Sequence, residues 1–203
     1  MARHRDLEGE IRMRAKDDQV LQLLAQSIDS TEGIAADNHR RVLDHVTRFG
    51  EALGLSEAEQ DVLERGALVH DIGKIKISTD VLVKSNVLTY DDWQLLRSHT
   101  SLGADLIKGV ESLSDTEDVV RYHHECWDGD GYPEGLKGAK IPHLAHIMKI
   151  VDVYCAMTSA RHYRDGESSH EEAIAYFKEE HGKHFNPELV DVFIDKNIGK
   201  PVA

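Results

Sequence analysis

Cysteine is nearly absent from this sequence: among 203 residues there are two, Cys126 and Cys155, in no CxxC spacing. That excludes a disulfide framework and a cysteine-rich structural zinc site. An N-terminal apolar leader is lacking, and no apolar run approaches the roughly 20 residues needed to span a bilayer. The chain therefore reads as cytoplasmic with no direct membrane span, any membrane link coming through a partner. Basic residues are also short, 24 against 37 acidic ones, for a formal charge of −13. A nucleic-acid polymer binder needs a basic face to displace counterions from phosphates, and this balance argues against one. A small phosphorylated substrate remains compatible, because a metal site and two or three local cations set the field inside a pocket. Internal repeats and low-complexity segments are missing too, and the length suits one domain with some additional helix.

What the sequence does contain is helical periodicity, which predicts an all-α fold. A first helix over Leu7 to Ser30 alternates apolar residues with charge and suits a linker helix or half of a dimer seam. Val42, Leu43, Val46, Phe49 and Leu53 form the stripe of a second helix, which His39 begins. Ser56 with Glu59 opens a helix running into His70 and Asp71, where Gly73 suggests a stop. Thr89 with Asp92 opens another through Leu106 that carries His99, and Ser114 with Glu117 opens a shorter one ending at His123 and His124. Asp128 to Gly135 is the most turn-rich stretch and must be a loop. Pro142 precedes an apolar helix containing Asp152, and Ser169 and Asn186 cap two more.

Thirteen histidines are many for this length, and their positions matter more than their number. His39, His70 with Asp71, His99 and Asp152 lie on or beside the apolar faces of four helices, and His123 with His124 ends a fifth. One such histidine is ordinarily a hydrogen-bonded core residue. Five helices turning imidazoles and carboxylates toward one interior point to a shared cation, because burying these groups unpartnered is expensive. Hard oxygens mixed with imidazole nitrogens suit iron, manganese or another octahedral transition ion. Seven candidate ligands exceed what one ion accepts while keeping positions open, so two divalent ions are expected.

These residues resemble the HD-GYP domain of the HD phosphohydrolase superfamily over Asn38 to Phe193. The resemblance rests on HDIGKIKI from His70, LTYDDW from Leu88, HHECWDGDGYPEGLKG from His123 and VDVYCAMTSARHYR from Val151. It implies a helical bundle with a GYP loop at residues 31–203, preceded by an extra linker or dimerisation helix at 1–30. It implies that His39, His70, Asp71 and Asp152 surround one ion and that Asp71 bridges to a second held by His99, His123 and His124. By the same resemblance Asp71 and Lys74 are catalytic, with Lys74 facing the substrate phosphate or the attacking oxygen. The resemblance further implies that Arg161 and Arg164 grip substrate phosphates and that Tyr132 lies on the lip of the pocket, and Glu125 is expected to orient a ligand histidine. Asp128 and Asp130 read as turn formers and Cys126 as a packing residue. Ala35 stands where some members place a Glu for a third ion, Cys155 where Asp is usual, and Ser85 and Asn86 where Pro and Gly are common. The implied activity is metal-dependent phosphodiesterase action on cyclic di-GMP, giving pGpG and then GMP. Implied partners are sensory, receiver or GGDEF-type signalling domains, and a homodimer is compatible; the alternative is a weakly catalytic signalling module.

Overall fold

The computed structural model describes residues 18–31, 37–84, 87–159 and 167–200, and the regular elements among them are helices. Residues 18–31 form α1. It is followed by α2 (Asn38–Leu53), α3 (Glu57–Val69), α4 (Thr79–Leu82), α5 (Tyr90–Arg97), α6 (His99–Ile107), α7 (Glu117–Tyr122), α8 (His143–Met157), α9 (His170–Glu179) and α10 (Pro187–Asp195). Short 3-10 turns occur at Ile72–Lys76, Glu111–Thr116 and Gly138–Lys140. The all-α expectation holds, and among the described residues no helix is long and apolar enough to cross a membrane.

Most helix starts follow from local chemistry. Ser56 with Glu59, Thr89 with Asp92 and Ser169 with Glu172 each form a reciprocal capping box, and Asn186 caps α10 with Pro187 in its first turn. Each cap satisfies a backbone N–H that would otherwise lack a partner, worth about 0.5–2 kcal/mol. Three boundaries differ from the sequence expectation. Ser114 caps nothing; it lies inside the 3-10 turn, donating to the Glu111 carbonyl, and α7 begins three residues later. The helix expected from Thr89 to Leu106 breaks at Ser98, where the Ser98 hydroxyl and the His99 ring take the carbonyls of Leu95 and Leu96. The third difference is that α3 stops at Val69, so His70 and Asp71 lie just beyond its end and Lys74 sits in a 3-10 turn.

Two apolar clusters form the interior. Val46, Phe49, Leu63, Ile147, Phe177 and Phe193 belong to the larger, which α2, α3, α8, α9 and α10 build. The smaller joins Leu21, Ala25 and Ile28 of α1 to Leu68, Val69, Ile72, Ile107 and Val120. Helices α3 and α7 run between the two, with Ala67 and Val119 in one cluster and Val69 and Val120 in the other. The residues that follow these two helices, His70 and His123, thus emerge at the seam. Gly73 allows the next turn to lie directly on α6: a Cβ there would stand 2.5 Å from the Gly103 nitrogen and closer still to the His99 carbonyl oxygen.

Candidate metal centre

His70, His99 and His123 share one local arrangement. In each ring Nδ1 meets the carbonyl oxygen of the residue three positions earlier, Ala67, Leu96 and Val120, at 2.7, 2.6 and 2.9 Å. A carbonyl oxygen can only accept, so Nδ1 carries the proton and donates it, and the tautomer is fixed with Nε2 turned inward. Nε2 of His99 then lies 3.4 Å from Nε2 of His123 and 3.3 Å from Asp71 Oδ1. Nε2 of His70 is 3.2 Å from Asp71 Oδ2 and 3.9 Å from Asp152 Oδ1. Ring atoms of His99, His123 and His124 gather within 4.8 Å of one another. Six of the seven residues expected as ligands therefore meet at one place.

Burial lowers the pKa of His99, and it pushes His123 and His124 well below the ordinary histidine value, with neighbouring His70, His99 and His123 adding to the shift. These rings are neutral near pH 7. His70 behaves differently: burial opposes its charge, but Asp71 and Asp152 outweigh burial and raise it to about 9. Burial likewise opposes ionisation of Asp71, and the charges of Lys74 and His70 overcome it to hold the carboxyl well below its usual range.

This donor set fits a metal. Neutral His99 and His123 point lone pairs at each other, and Asp71 Oδ1 is buried with no hydrogen-bond donor. Facing lone pairs and an orphaned carboxylate oxygen are unfavourable unless a cation lies among them. Ligands of one ion at about 2.1 Å stand roughly 3.0–3.4 Å apart in octahedral or tetrahedral arrangements, which the 3.3 and 3.4 Å separations match.

His39, at the start of α2, is the seventh expected ligand. Its Nδ1 and its backbone nitrogen both meet Asp29 Oδ2, at 3.2 and 3.0 Å, so the α1 carboxylate orients the ring. Lys74 Nζ donates to Asp71 Oδ2 at 2.8 Å. Tyr132 stacks on His124 with centroids 4.8 Å apart and planes inclined by 25°, and the Arg97 guanidinium lies over the Tyr132 ring, 5.3 Å from its centroid. Burial, with Asp152 and Asp71 nearby, raises the Tyr132 hydroxyl pKa, so it remains a donor. Asp128 Oδ1 accepts from the Asp130 nitrogen at 3.1 Å, a turn-forming bond, and burial pushes the Cys126 thiol up, away from a reactive thiolate.

Glu125 does not have the expected role. It is fully buried, and its carboxylate accepts from the backbone nitrogens of Glu134 and Leu136 at 2.8 and 3.0 Å, so it pins the loop that carries Tyr132 rather than a histidine. Three contributors escaped the sequence reading: Asp29, Arg97 and the buried Lys149, which donates to the His124 carbonyl at 3.4 Å. For Asp29 the available signal was a carboxylate next to the apolar stripe of α1. Arg161, Arg164, Ala35, Ser85 and Asn86 lie outside the described residues.

The family model for the HD domain matches residues 22–189. The chain is 34% identical over 178 residues to the cyclic di-GMP phosphodiesterase response regulator RpfG of Xanthomonas campestris, covering 87% of this chain and 47% of that protein. It is 29% identical to the 3'3'-cGAMP-specific phosphodiesterase 2 of Vibrio cholerae, over 85% of this chain and 33% of the relative. The chain thus spans less than half the length of either. The crystal structure of a V. cholerae cyclic GMP-AMP phosphodiesterase, V-cGAP3, superposes with a TM-score of 0.69 at 23% identity, over 90% of this chain and 48% of that one, and shares the fold. With an HD pair closing α3, imidazoles converging on it and a family model spanning most of its length, the chain belongs to the HD domain family.

Proposed function

We propose that the chain hydrolyses a cyclic dinucleotide, cyclic di-GMP first, to linear pGpG and onward to GMP. The observation that carries this reading is the set of unshared lone pairs on His99, His123 and Asp71 Oδ1 facing one another in a buried pocket. In this reading His39, His70, Asp71 and Asp152 hold one divalent ion and Asp71, His99, His123 and His124 a second, iron or manganese being favoured by the mixed nitrogen and oxygen donors. When bound, such ions supply Lewis acidity and a water of lowered pKa. The protein's own groups do the rest. Backbone carbonyls hold three imidazoles in the ligating tautomer, and Asp29 does the same for His39. Lys74, beside Asp71, sets a positive charge where phosphoryl oxygens gain negative charge. Tyr132 covers the His124 side and offers a protonated hydroxyl, and Arg161 and Arg164 are assigned to the substrate phosphates.

In this proposal residues 31–203 carry the catalytic residues, with Asp29 at the end of α1 supporting His39, and the earlier part of residues 1–30 links them to a signalling partner or to a second copy. Relatives named for cyclic di-GMP and for 3'3'-cGAMP make both ligands the natural substrate pair to compare. Protein loaded anaerobically with Fe(II) or Mn(II) is expected to convert cyclic di-GMP to pGpG, followed by chromatography. Asp71→Asn and His70→Ala are expected to lower the rate by at least a hundredfold. No product with either metal sinks the hydrolase reading and leaves a ligand-binding signalling module.

A further inference from the structure

The LTYDDW motif has so far had no role beyond starting α5. Its Tyr90 and Trp93, with Gln94 and Arg97, occupy one face of that helix at positions i, i+3, i+4 and i+7 and line a cleft of about 230 Å³. Tyr90 is 77% and Trp93 50% exposed. The helix that carries them is fixed, by its capping box and by the ion pair between Lys84 and Asp92. Arg97 of that cleft lies over Tyr132, and Tyr132 stacks on His124, so two side-chain contacts separate the cleft from the candidate metal centre.

We propose that this cleft is the subsite for one guanine base of a cyclic dinucleotide whose reacting phosphate lies at the metal centre, an inference that rests on the proposed function. The cleft is smaller than the roughly 300–1,000 Å³ of sites that enclose a whole small ligand, so it suits one part of a ligand that is anchored elsewhere. Exposed aromatic rings take a base face to face. Arg97 brings a planar guanidinium fork suited to the O6 and N7 edge of guanine, and Gln94 adds an amide beside it. A dinucleotide held at the centre by one phosphate must carry a base outward, and the contacts from His124 through Tyr132 to Arg97 put this face next to the centre.

The sequence contains two tryptophans, Trp93 and Trp127, so Trp127→Phe leaves Trp93 as the sole fluorophore of its kind. Cyclic di-GMP added to the Mn(II)-loaded Trp127→Phe protein is expected to quench that emission saturably. Trp93→Ala and Arg97→Ala are expected to raise KM for cyclic di-GMP roughly tenfold or more, and Trp93→Ala to leave turnover of bis(p-nitrophenyl) phosphate, a diester without a nucleobase, unchanged. An unresponsive Trp93 together with parental KM values in both variants overturns the subsite and assigns the face to a protein partner. Equal losses on both diesters in Trp93→Ala also overturn it, since the residue would then only support the centre. Quenching without turnover keeps the subsite and sinks the hydrolase reading, whereas turnover with neither quenching nor a raised KM does the reverse.

Discussion

At the residue scale, the most consequential group outside the ligand set is Glu125, a buried carboxylate whose two oxygens each accept a backbone N–H from the loop carrying Tyr132. Glu125→Gln turns an amide N–H₂ toward one of those donors. The unsatisfied pair is expected to cost about 1–3 kcal/mol, read as a lower urea midpoint. His146 makes a second case. It is buried, meets the Gly138 carbonyl at 3.3 Å, and burial pushes it down to about 4 from the ordinary 6.5. The unfolded chain therefore binds this proton first. Stability from the neutral ring is complete above pH 6.5 and is lost as pH falls toward 4. In thermal melts from pH 7.5 to 4.5, His146→Gln is expected to lose less Tm than the parent. The residues that converge at the candidate centre were legible because imidazole and carboxylate on an apolar face are informative by type alone. Glu125 was not, because its partners are backbone nitrogens nine and eleven positions away, which no residue type encodes.

At the scale of elements, the sequence located helix starts better than helix ends. Capping boxes at Ser56, Thr89 and Ser169 are reciprocal bonds within four residues and can be read locally. The break at Ser98 and the 3-10 turn after Asp71 depend on side chains competing for carbonyls and on contact with another helix, neither of which shows in periodicity. Gly73 illustrates the second cause. An alanine there would drive its methyl into the backbone of α6 at His99 and Gly103, neither of which can rotate away. Gly73→Ala is expected to lower the thermal midpoint by several degrees and to weaken Mn(II) binding, measured by calorimetry, because His99 moves with that backbone. A control at Gly109, where an added Cβ meets nothing within 4 Å, is expected to leave metal binding unchanged.

Across the whole molecule, the candidate centre lies where two apolar clusters meet, with α3 and α7 contributing to both. Ions held there would tie together elements that the hydrophobic interior joins only in part. Adding Mn(II) at a hundred times its dissociation constant is expected to stabilise the fold by about 2.7 kcal/mol, seen as a raised Tm that EDTA reverses. A midpoint indifferent to metal would contradict a ligand set spanning both clusters. The carbonyls of Ala67, Leu96 and Val120 that hold the three rings all belong to the final turns of α3, α5 and α7. Final-turn carbonyls have no N–H of their own helix to accept from, so each imidazole N–H helps to finish its helix, at Leu96 together with a backbone N–H of the cap. One ring nitrogen thus closes the helix end while the other faces the candidate centre. Replacing any of these histidines by alanine frays a helix even where no ion is bound, so an inactive variant must be shown to be folded before its loss is credited to chemistry.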